Sequence, residues 1–80
     1  MAESLEPFAH DVRPGIYRHF KGALIEVVGV ARHTETKEEL VTYRHLDGDY
    51  PLWVRPATMF LENVSRDGYD GPRFTLVKEF

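Results

Sequence analysis

The stretch Gly15–Phe60, GIYRHFKGALIEVVGVARHTETKEELVTYRHLDGDYPLWVRPATMF, decides the fold of this chain. It combines two-residue alternation of apolar and polar side chains with β-branched runs and glycine-containing turns. Such a pattern is typical of short antiparallel strands joined by hairpins. We therefore predict a mainly β domain, a small SH3-like roll or barrel of about five strands with one short helical turn.

The boundaries of these elements follow from the same pattern. The predicted strands are Ile16–Phe20, Ala23–His33, Leu40–Leu46, Leu52–Arg55 and Arg73–Phe80, and the predicted helical turn is Ala57–Val64. Gly29, in the middle of the second strand, indicates a bulge, a bend or the close approach of another backbone. Pro56 ends the fourth strand because it has no N–H to donate. Closure into a barrel would protect the strand edges from pairing with other chains.

Length and charge predict one domain behind an acidic tail. Eighty residues suffice for a single domain with a modest core. Residues 1–13 contain Glu3, Glu6 and Asp11 without any periodicity and are predicted to be a flexible tail, followed by one SH3-like domain over residues 14–80. The net charge of −3 comes from this tail, since residues 13–80 contain equal numbers of basic and acidic side chains. That balance disfavours non-specific binding to nucleic acid.

Composition also bounds the chemistry and the compartment. The chain has no cysteine, which excludes disulfides, thiolate chemistry and cysteine-based zinc sites. Small secreted domains usually depend on disulfides, and the N-terminal residues lack the features of a signal peptide. No apolar run approaches the roughly 20 residues of a membrane span. We therefore expect a cytoplasmic protein.

The third and fourth predicted strands offer a candidate recognition surface. If Leu46 faces Leu52, alternation gives each side of this hairpin its own set of side chains. The more aliphatic side, predicted to face the core, carries Leu40, Leu46, Leu52 and Val54, and the other side carries Tyr43, His45, Trp53 and Arg55. Exposed rings beside an arginine suit stacking on peptides or bases and binding of carboxylates or phosphates. The alternative is that Trp53 is a core residue past which Arg55 extends to solvent.

A second candidate is the basic aromatic stretch Tyr17–Gly22, YRHFKG. Arg18 and Lys21 can meet a phosphate there, with Gly22 allowing close approach of the backbone. The stretch lacks a P-loop, a GxGxxG fingerprint and a following helix, so the alternative is a solvated strand end. The two candidates, together with Arg32 as a further basic residue, give the predicted binding residues: Tyr17, His19, Lys21, Arg32, Tyr43, His45, Trp53 and Arg55.

Histidines provide a third hypothesis. His19, His33 and His45 lie on three different predicted strands or strand ends, and Glu26 is near in sequence. Three imidazoles can form an open metal site of the catalytic type. None of them falls at a local ligand spacing such as HxH or HxxxH, so the alternative is that they are scattered over the surface. We assign no catalytic residue, no metal ligand and no cofactor.

Four segments carry a resemblance to a known family: GIYRHFKG, EVVGVARHTET, ELVTYRH and LWVRPATMF. Over about residues 13–64 they resemble a bacterial family of small domains of unknown function, numbered 1653. The resemblance implies an SH3-like β-roll and a bacterial source, and it implies no catalytic mechanism. The residues that match the family's motifs are Tyr17, His19, Lys21, Gly22, Gly29, Arg32, His33, Thr36, Tyr43, Arg44, Trp53, Arg55 and Pro56.

These observations favour a non-enzymatic binding module whose partner is a protein or peptide. Single-stranded nucleic acid is the second choice of ligand, because the body of the domain is electrically neutral. A small enzyme or metal-dependent protein built on the histidines is the rival class. Self-association through a barrel edge, as a homo-oligomer, is a further alternative.

Overall fold

The computed structural model describes residues 7–80, which form seven strands and one short helix. The strands are β1 (Gly15–His19), β2 (Leu24–Arg32), β3 (Glu39–His45), β4 (Leu52–Pro56), β5 (Asn63–Arg66), β6 (Tyr69–Pro72) and β7 (Phe74–Glu79), and helix α1 is Ala57–Phe60. The mainly β class and the single short helix are therefore confirmed, but the helix ends at Phe60 and not at the predicted Val64, which belongs to β5. Within residues 7–80, no helix is long and apolar enough to cross a membrane.

Five strands form one antiparallel sheet in the order β4-β3-β2-β1-β7. The register of β2 against β3 shifts between Val27 and Gly29, which confirms the predicted irregularity at Gly29. The predicted closure into a barrel is wrong, because β4 and β7 are the two edges of the sheet and do not pair with each other. Side chains span this opening instead: Phe60 from α1 stacks on Phe74 of β7 with ring centroids 4.2 Å apart. The finer SH3-like assignment stays a prediction.

The core lies on the inner face of the five-stranded sheet. Ile25 and Val27 of β2 and Val41 of β3 are fully buried, as expected for β-branched side chains on central strands. The aromatic rings of Phe60 and Phe74 complete this core. Burial of one such aliphatic side chain stabilises the fold by roughly 1.5–3 kcal/mol.

The β3–β4 hairpin differs from its predicted arrangement in two ways. Tyr43 pairs with Trp53 and Val41 with Arg55, a register two residues away from the predicted one. Because the shift is even, the predicted grouping of Tyr43, His45, Trp53 and Arg55 on one face is retained. That face is the inner one, however, since Tyr43 is only 5% exposed.

The predicted core side of this hairpin is therefore wrong. Leu52 and Val54 are 60% and 58% exposed, and Leu40 and Leu46 are half-buried. The reason is that this antiparallel sheet has one face toward water, as the exposure of Val28 on the central strand β2 also shows, and β4 in addition lacks a neighbouring strand on one side.

A second, two-stranded sheet was not predicted. Strands β5 and β6 are antiparallel, with Asn63 opposite Pro72 at one end and Arg66 opposite Tyr69 at the other. The turn between them is Asp67-Gly68. The sequence shows the turn residues clearly, but the flanking strands are only four residues long and mostly exposed. Such strands lack the apolar alternation on which strand prediction depends.

Part of the predicted tail contacts the sheet. The carboxylate of Glu39 accepts hydrogen bonds from the backbone N–H groups of Ala9 (2.7 Å) and His10 (2.9 Å). The ring Nδ1 of His10 lies 2.8 Å from the same carboxylate, and Val12 is buried in the core. The first six residues of the predicted tail lie outside the described residues.

Candidate functional site

A cavity of about 260 Å³ opens at the end of the sheet where β1 turns into β2. Its lining comes from the end of β1 and the following turn, from β3, from the edge strand β4 and from β7. The lining residues are His19, Lys21, Ala23, Tyr43, His45, Arg55 and Phe74. Four of these side chains carry nitrogen groups that are or can become cationic, and none of them is a carboxylate. We call this site the cationic aromatic pocket.

A tight turn places the first part of the lining. The backbone N–H of Gly22 donates to the carbonyl of His19 at 2.7 Å, and the N–H of His19 donates to the carbonyl of Ala23 at 2.7 Å. Gly22 has a φ of 107°, a conformation that side chains rarely adopt, so this position requires glycine. The turn therefore brings both Lys21 and Ala23 to the mouth of the pocket.

Two buried rings form the floor of the pocket. Tyr43 and Phe74 are almost completely buried, with ring centroids 6.1 Å apart. The His19 ring meets the edge of Phe74 at 5.0 Å, and the His45 ring lies 6.1 Å from Tyr43. Polar rim groups thus stand over an apolar aromatic base, the usual composition of a binding pocket.

His19 is held in a defined neutral state. Its Nδ1 accepts a hydrogen bond from the backbone N–H of Lys21 at 3.1 Å, which leaves Nε2 to carry the proton of the neutral ring. Partial burial lowers the pKa of His19 below its ordinary value of 6.5. Four neighbouring cations lower this pKa further: Arg55, Arg73, Lys21 and Arg66. The ring of His19 is therefore neutral at pH 7. Its lowered pKa indicates that the charges around the pocket are mainly positive.

Lys21 and Arg55 supply cationic groups that lack acidic partners in the part of the chain that the structure describes. Neither forms an ion pair with a carboxylate of residues 7–80. The Arg55 guanidinium lies 5.8 Å from the centroid of the Phe74 ring, and the Lys21 ammonium lies 5.9 Å from that of Phe20. By contrast, Arg73 is paired with Glu62 at 2.6 Å. The pocket thus presents positive charge that the described residues do not neutralise.

This arrangement can hold a small anion attached to an apolar or aromatic group. Arginine matches the planar geometry of a carboxylate, and lysine adds a mobile point charge. The cavity volume of about 260 Å³ lies below the roughly 300–1,000 Å³ typical of sites for drug-sized ligands. It therefore suits a side chain or a similarly small group.

The structure brings together five of the eight predicted binding residues in this pocket: His19, Lys21, Tyr43, His45 and Arg55. Trp53 lies beside it on β4, with its ring meeting the His45 ring edge-on at 6.4 Å. It is 53% exposed, which excludes the alternative of Trp53 as a core residue.

The remaining two predicted residues lie elsewhere. Tyr17 is buried in the core, and its hydroxyl donates to the carbonyl of Arg13 at 2.8 Å. Arg32 lies at the far end of β2, seven positions from Ile25, where it pairs with Glu39 at 3.9 Å. Its guanidinium also lies over the Phe8 ring at 4.7 Å. Neither residue lines the cationic aromatic pocket.

The histidines do not assemble as a metal hypothesis requires. His33 lies in the loop after β2, where its Nδ1 accepts the backbone N–H of Glu35 at 3.1 Å. His19 and His45 share the pocket without it. Within residues 7–80, no group of three or more His, Cys, Asp or Glu side chains is placed to hold a metal ion.

Two lining residues were missed by sequence reasoning. Ala23 carries no chemical signal, and its role depends on the tight turn at Gly22. Phe74 belongs to a strand that was predicted correctly, but its contact with Arg55 joins the two edges of the sheet. Contacts between opposite edges depend on how the sheet curls, and strand periodicity contains no information about that curl.

Comparisons with known proteins agree on one family. A family model described as "Protein of unknown function (DUF1653)" matches residues 15–76. Among solved structures, the chain is similar to the crystal structure of a protein belonging to DUF1653 from Bordetella bronchiseptica. The two are 36% identical with a TM-score of 0.78, over 88% of this chain and 92% of that one. No curated protein matches the chain.

Proposed function

The chain belongs to the DUF1653 family of proteins of unknown function, and from that premise we propose that it is a non-enzymatic binding module. Its partner is a protein or peptide that inserts an acidic side chain into the cationic aromatic pocket. One observation carries this proposal: Lys21 and Arg55 line a pocket whose floor is aromatic and whose lining contains no carboxylate.

Unneutralised cations of this kind favour recognition. An arginine in a stable fold usually has an acidic partner or full exposure to water, whereas Arg55 is half-buried over the Phe74 ring. An incoming carboxylate would gain charge-assisted hydrogen bonds there, worth roughly 1.5–3 kcal/mol each. The exposed Trp53 beside the pocket adds apolar area of the type that dominates binding energy in protein interfaces.

A protein or peptide partner is favoured over nucleic acid by the charge of the molecule as a whole. Residues 13–80 carry as many acidic as basic side chains. Binding to nucleic acid depends on neutralising many phosphates, and it needs an extended basic surface. The cationic aromatic pocket is a local positive site suited to one or two acidic groups.

A peptide-display selection tests this proposal. The full chain is immobilised and panned against a random peptide library, and the same is done with Arg55→Gln and with Lys21→Gln. We expect the native chain to enrich peptides that contain glutamate or aspartate. Each variant should reduce the affinity for a selected peptide about tenfold, since one hydrogen bond to a charged group is lost.

Two matched variants control for the general loss of positive charge. Arg18→Gln removes an exposed arginine from β1, and Lys78→Gln removes an exposed lysine from β7, both outside the pocket. We expect both controls to bind the selected peptides as the native chain does. Selection of peptides without acidic residues, or equal losses in control and pocket variants, would refute the proposal. Tight, steeply salt-dependent binding to a single-stranded oligonucleotide would favour nucleic acid instead.

A further inference from the structure

Strand β4 presents a free edge directly beside the cationic aromatic pocket. It pairs only with β3 and ends the sheet, so its other edge has no backbone partner among residues 7–80. Leu52, Trp53 and Val54 are each more than half exposed. Alternate residues of an edge strand direct their N–H and C=O groups outward, where an extended peptide can pair with them.

The sequence limits how much of this edge is usable. Pro51 precedes β4 and Pro56 ends it, and neither can donate a backbone hydrogen bond. The segment between them is Leu52–Arg55. Proline at both ends is a common protection against indefinite edge-to-edge aggregation, and it leaves a short segment that suits a short peptide.

Resting on the proposed function, we infer that the partner peptide binds as an added antiparallel strand along β4. In such a pairing, side chains on the inner face stand opposite Arg55 and Trp53, with Cβ atoms about 4.5–5.5 Å apart. The residue opposite Arg55 lies next to the pocket that Arg55 lines, and it meets a guanidinium that has no carboxylate partner among residues 7–80. Charge complementarity therefore makes this residue acidic.

The neighbouring inner-face position of the peptide fixes a second preference. Trp53 and Arg55 are two residues apart on β4, so the side chains opposite them are also two residues apart. Trp53 is half exposed and has the His45 ring beside it, which favours an aromatic or large apolar partner. Since the added strand runs antiparallel, the acidic residue comes first in the peptide. The recognised pattern is acidic–any–aromatic.

Capped synthetic peptides test this inference. The reference is an acetylated and amidated peptide of six threonines in which glutamate replaces the second residue and phenylalanine the fourth. Affinity is measured by the emission of Trp53, the single tryptophan of the chain. Further peptides exchange the positions of glutamate and phenylalanine, replace glutamate by glutamine, or carry N-methyl groups on one or the other alternate set of backbone amides.

We expect the reference peptide to bind about tenfold or more tightly than the glutamine peptide, and the exchanged peptide to bind weakly. N-methylation of the amide set that faces β4 should abolish binding, and methylation of the other set should be tolerated. Among the backbone amides of Leu52–Arg55, the alternate ones that point away from β3 should gain protection from hydrogen exchange. If the glutamate peptide binds with the same dependence on Arg55 and Lys21 but neither methylated set matters, strand addition is refuted and the proposed function stands. If no glutamate-containing peptide is preferred in any arrangement, both fail.

Discussion

His19 owes its low proton affinity to its neighbours. Burial against Phe20 and Phe74 withdraws the ring from water, and cations on β4 and β5, in the β1–β2 turn and between β6 and β7 oppose a further positive charge. The hydrogen bond from the Lys21 N–H to Nδ1 also favours the neutral ring. The groups that lower the pKa of His19 come from different parts of the chain. This pKa therefore depends on the positive charge that several elements bring to the pocket.

This dependence predicts how the pKa of His19 responds to substitution. We expect His19 to titrate below 6.5 in the native chain, as followed by NMR of the imidazole protons. Arg55→Gln should raise its pKa towards that ordinary value, because one repelling charge is removed. Arg18→Gln, on the exposed face of β1, should leave it unchanged. Equal responses to the two variants would contradict the electrostatic account.

The lowered pKa of His19 also determines how the stability of the fold changes with pH. Because the folded pKa lies below the unfolded one, the unfolded chain binds the proton more readily as the pH falls through the ordinary histidine range. The contribution of His19 therefore destabilises the fold as the solution becomes more acidic than about pH 6.5. A bound carboxylate would raise the pKa of His19 and favour its protonated ring, so the affinity for acidic peptides, measured against pH, should increase as the pH falls below about 6.5.

At the scale of elements, the β3–β4 hairpin shows what sequence periodicity can and cannot predict. Alternation correctly grouped Tyr43, His45, Trp53 and Arg55 on one face. It could not say which face is inner, because both faces of β4 contain apolar residues. The choice is made by β2, whose Ile25 and Val27 bury one side of β3, and by the aromatic rings that cover that side.

A matched pair of truncations tests which face is the core. Val41→Ala removes two methyl groups from a fully buried site and should lower the free energy of unfolding by about 2 kcal/mol. Val54→Ala makes the same chemical change on the outer face of β4 and should change it by no more than about 0.5 kcal/mol. Chemical denaturation measures both. A larger loss for Val54→Ala would mean that the faces are assigned the wrong way round.

One carboxylate at the start of β3, that of Glu39, holds residues 9 and 10 of the segment before β1 by hydrogen bonds. The backbone N–H of Ala9 is the main cause of the lowered pKa of Glu39, and the His10 ring and N–H lower it further against the opposing effect of burial. The carboxylate is mostly covered, with its side chain 12% exposed. Because the folded pKa is depressed, the stabilisation is present above the unfolded pKa and is lost as the pH falls through the folded pKa.

We therefore expect Glu39→Gln to release this segment. Hydrogen exchange at the amides of Ala9 and His10 should become faster at neutral pH, because a neutral amide is a weaker acceptor than a carboxylate. The loss of thermal stability between about pH 5 and about pH 3 should also become shallower. Glu38→Gln, an exposed neighbour, is the control and should change neither quantity. Unaltered exchange in Glu39→Gln would show that other contacts hold the segment.

At the scale of the whole molecule, the fold is an open roll whose two sheet edges are joined by side chains. The curl that brings Arg55 of β4 over Phe74 of β7 creates the pocket, and it leaves the edge of β4 free beside it. Sequence reasoning predicted the five strands of the large sheet, an irregularity at Gly29 and most of the residues that line the pocket. It could not predict the open edges of the sheet or the contribution of Phe74 to the pocket lining, because both depend on contacts between strands that are distant in sequence.

The most direct test of the account is NMR shift mapping of the full chain with two capped peptides, one with glutamate and one with glutamine at the same position. We predict that the glutamate peptide perturbs His19, Lys21, His45, Trp53 and Arg55 in a saturable manner, and that the glutamine peptide perturbs them weakly at equal concentration. Equal perturbation by both peptides, or shifts centred on Arg32 at the far end of the sheet, would contradict the claim that the cationic aromatic pocket recognises an acidic side chain.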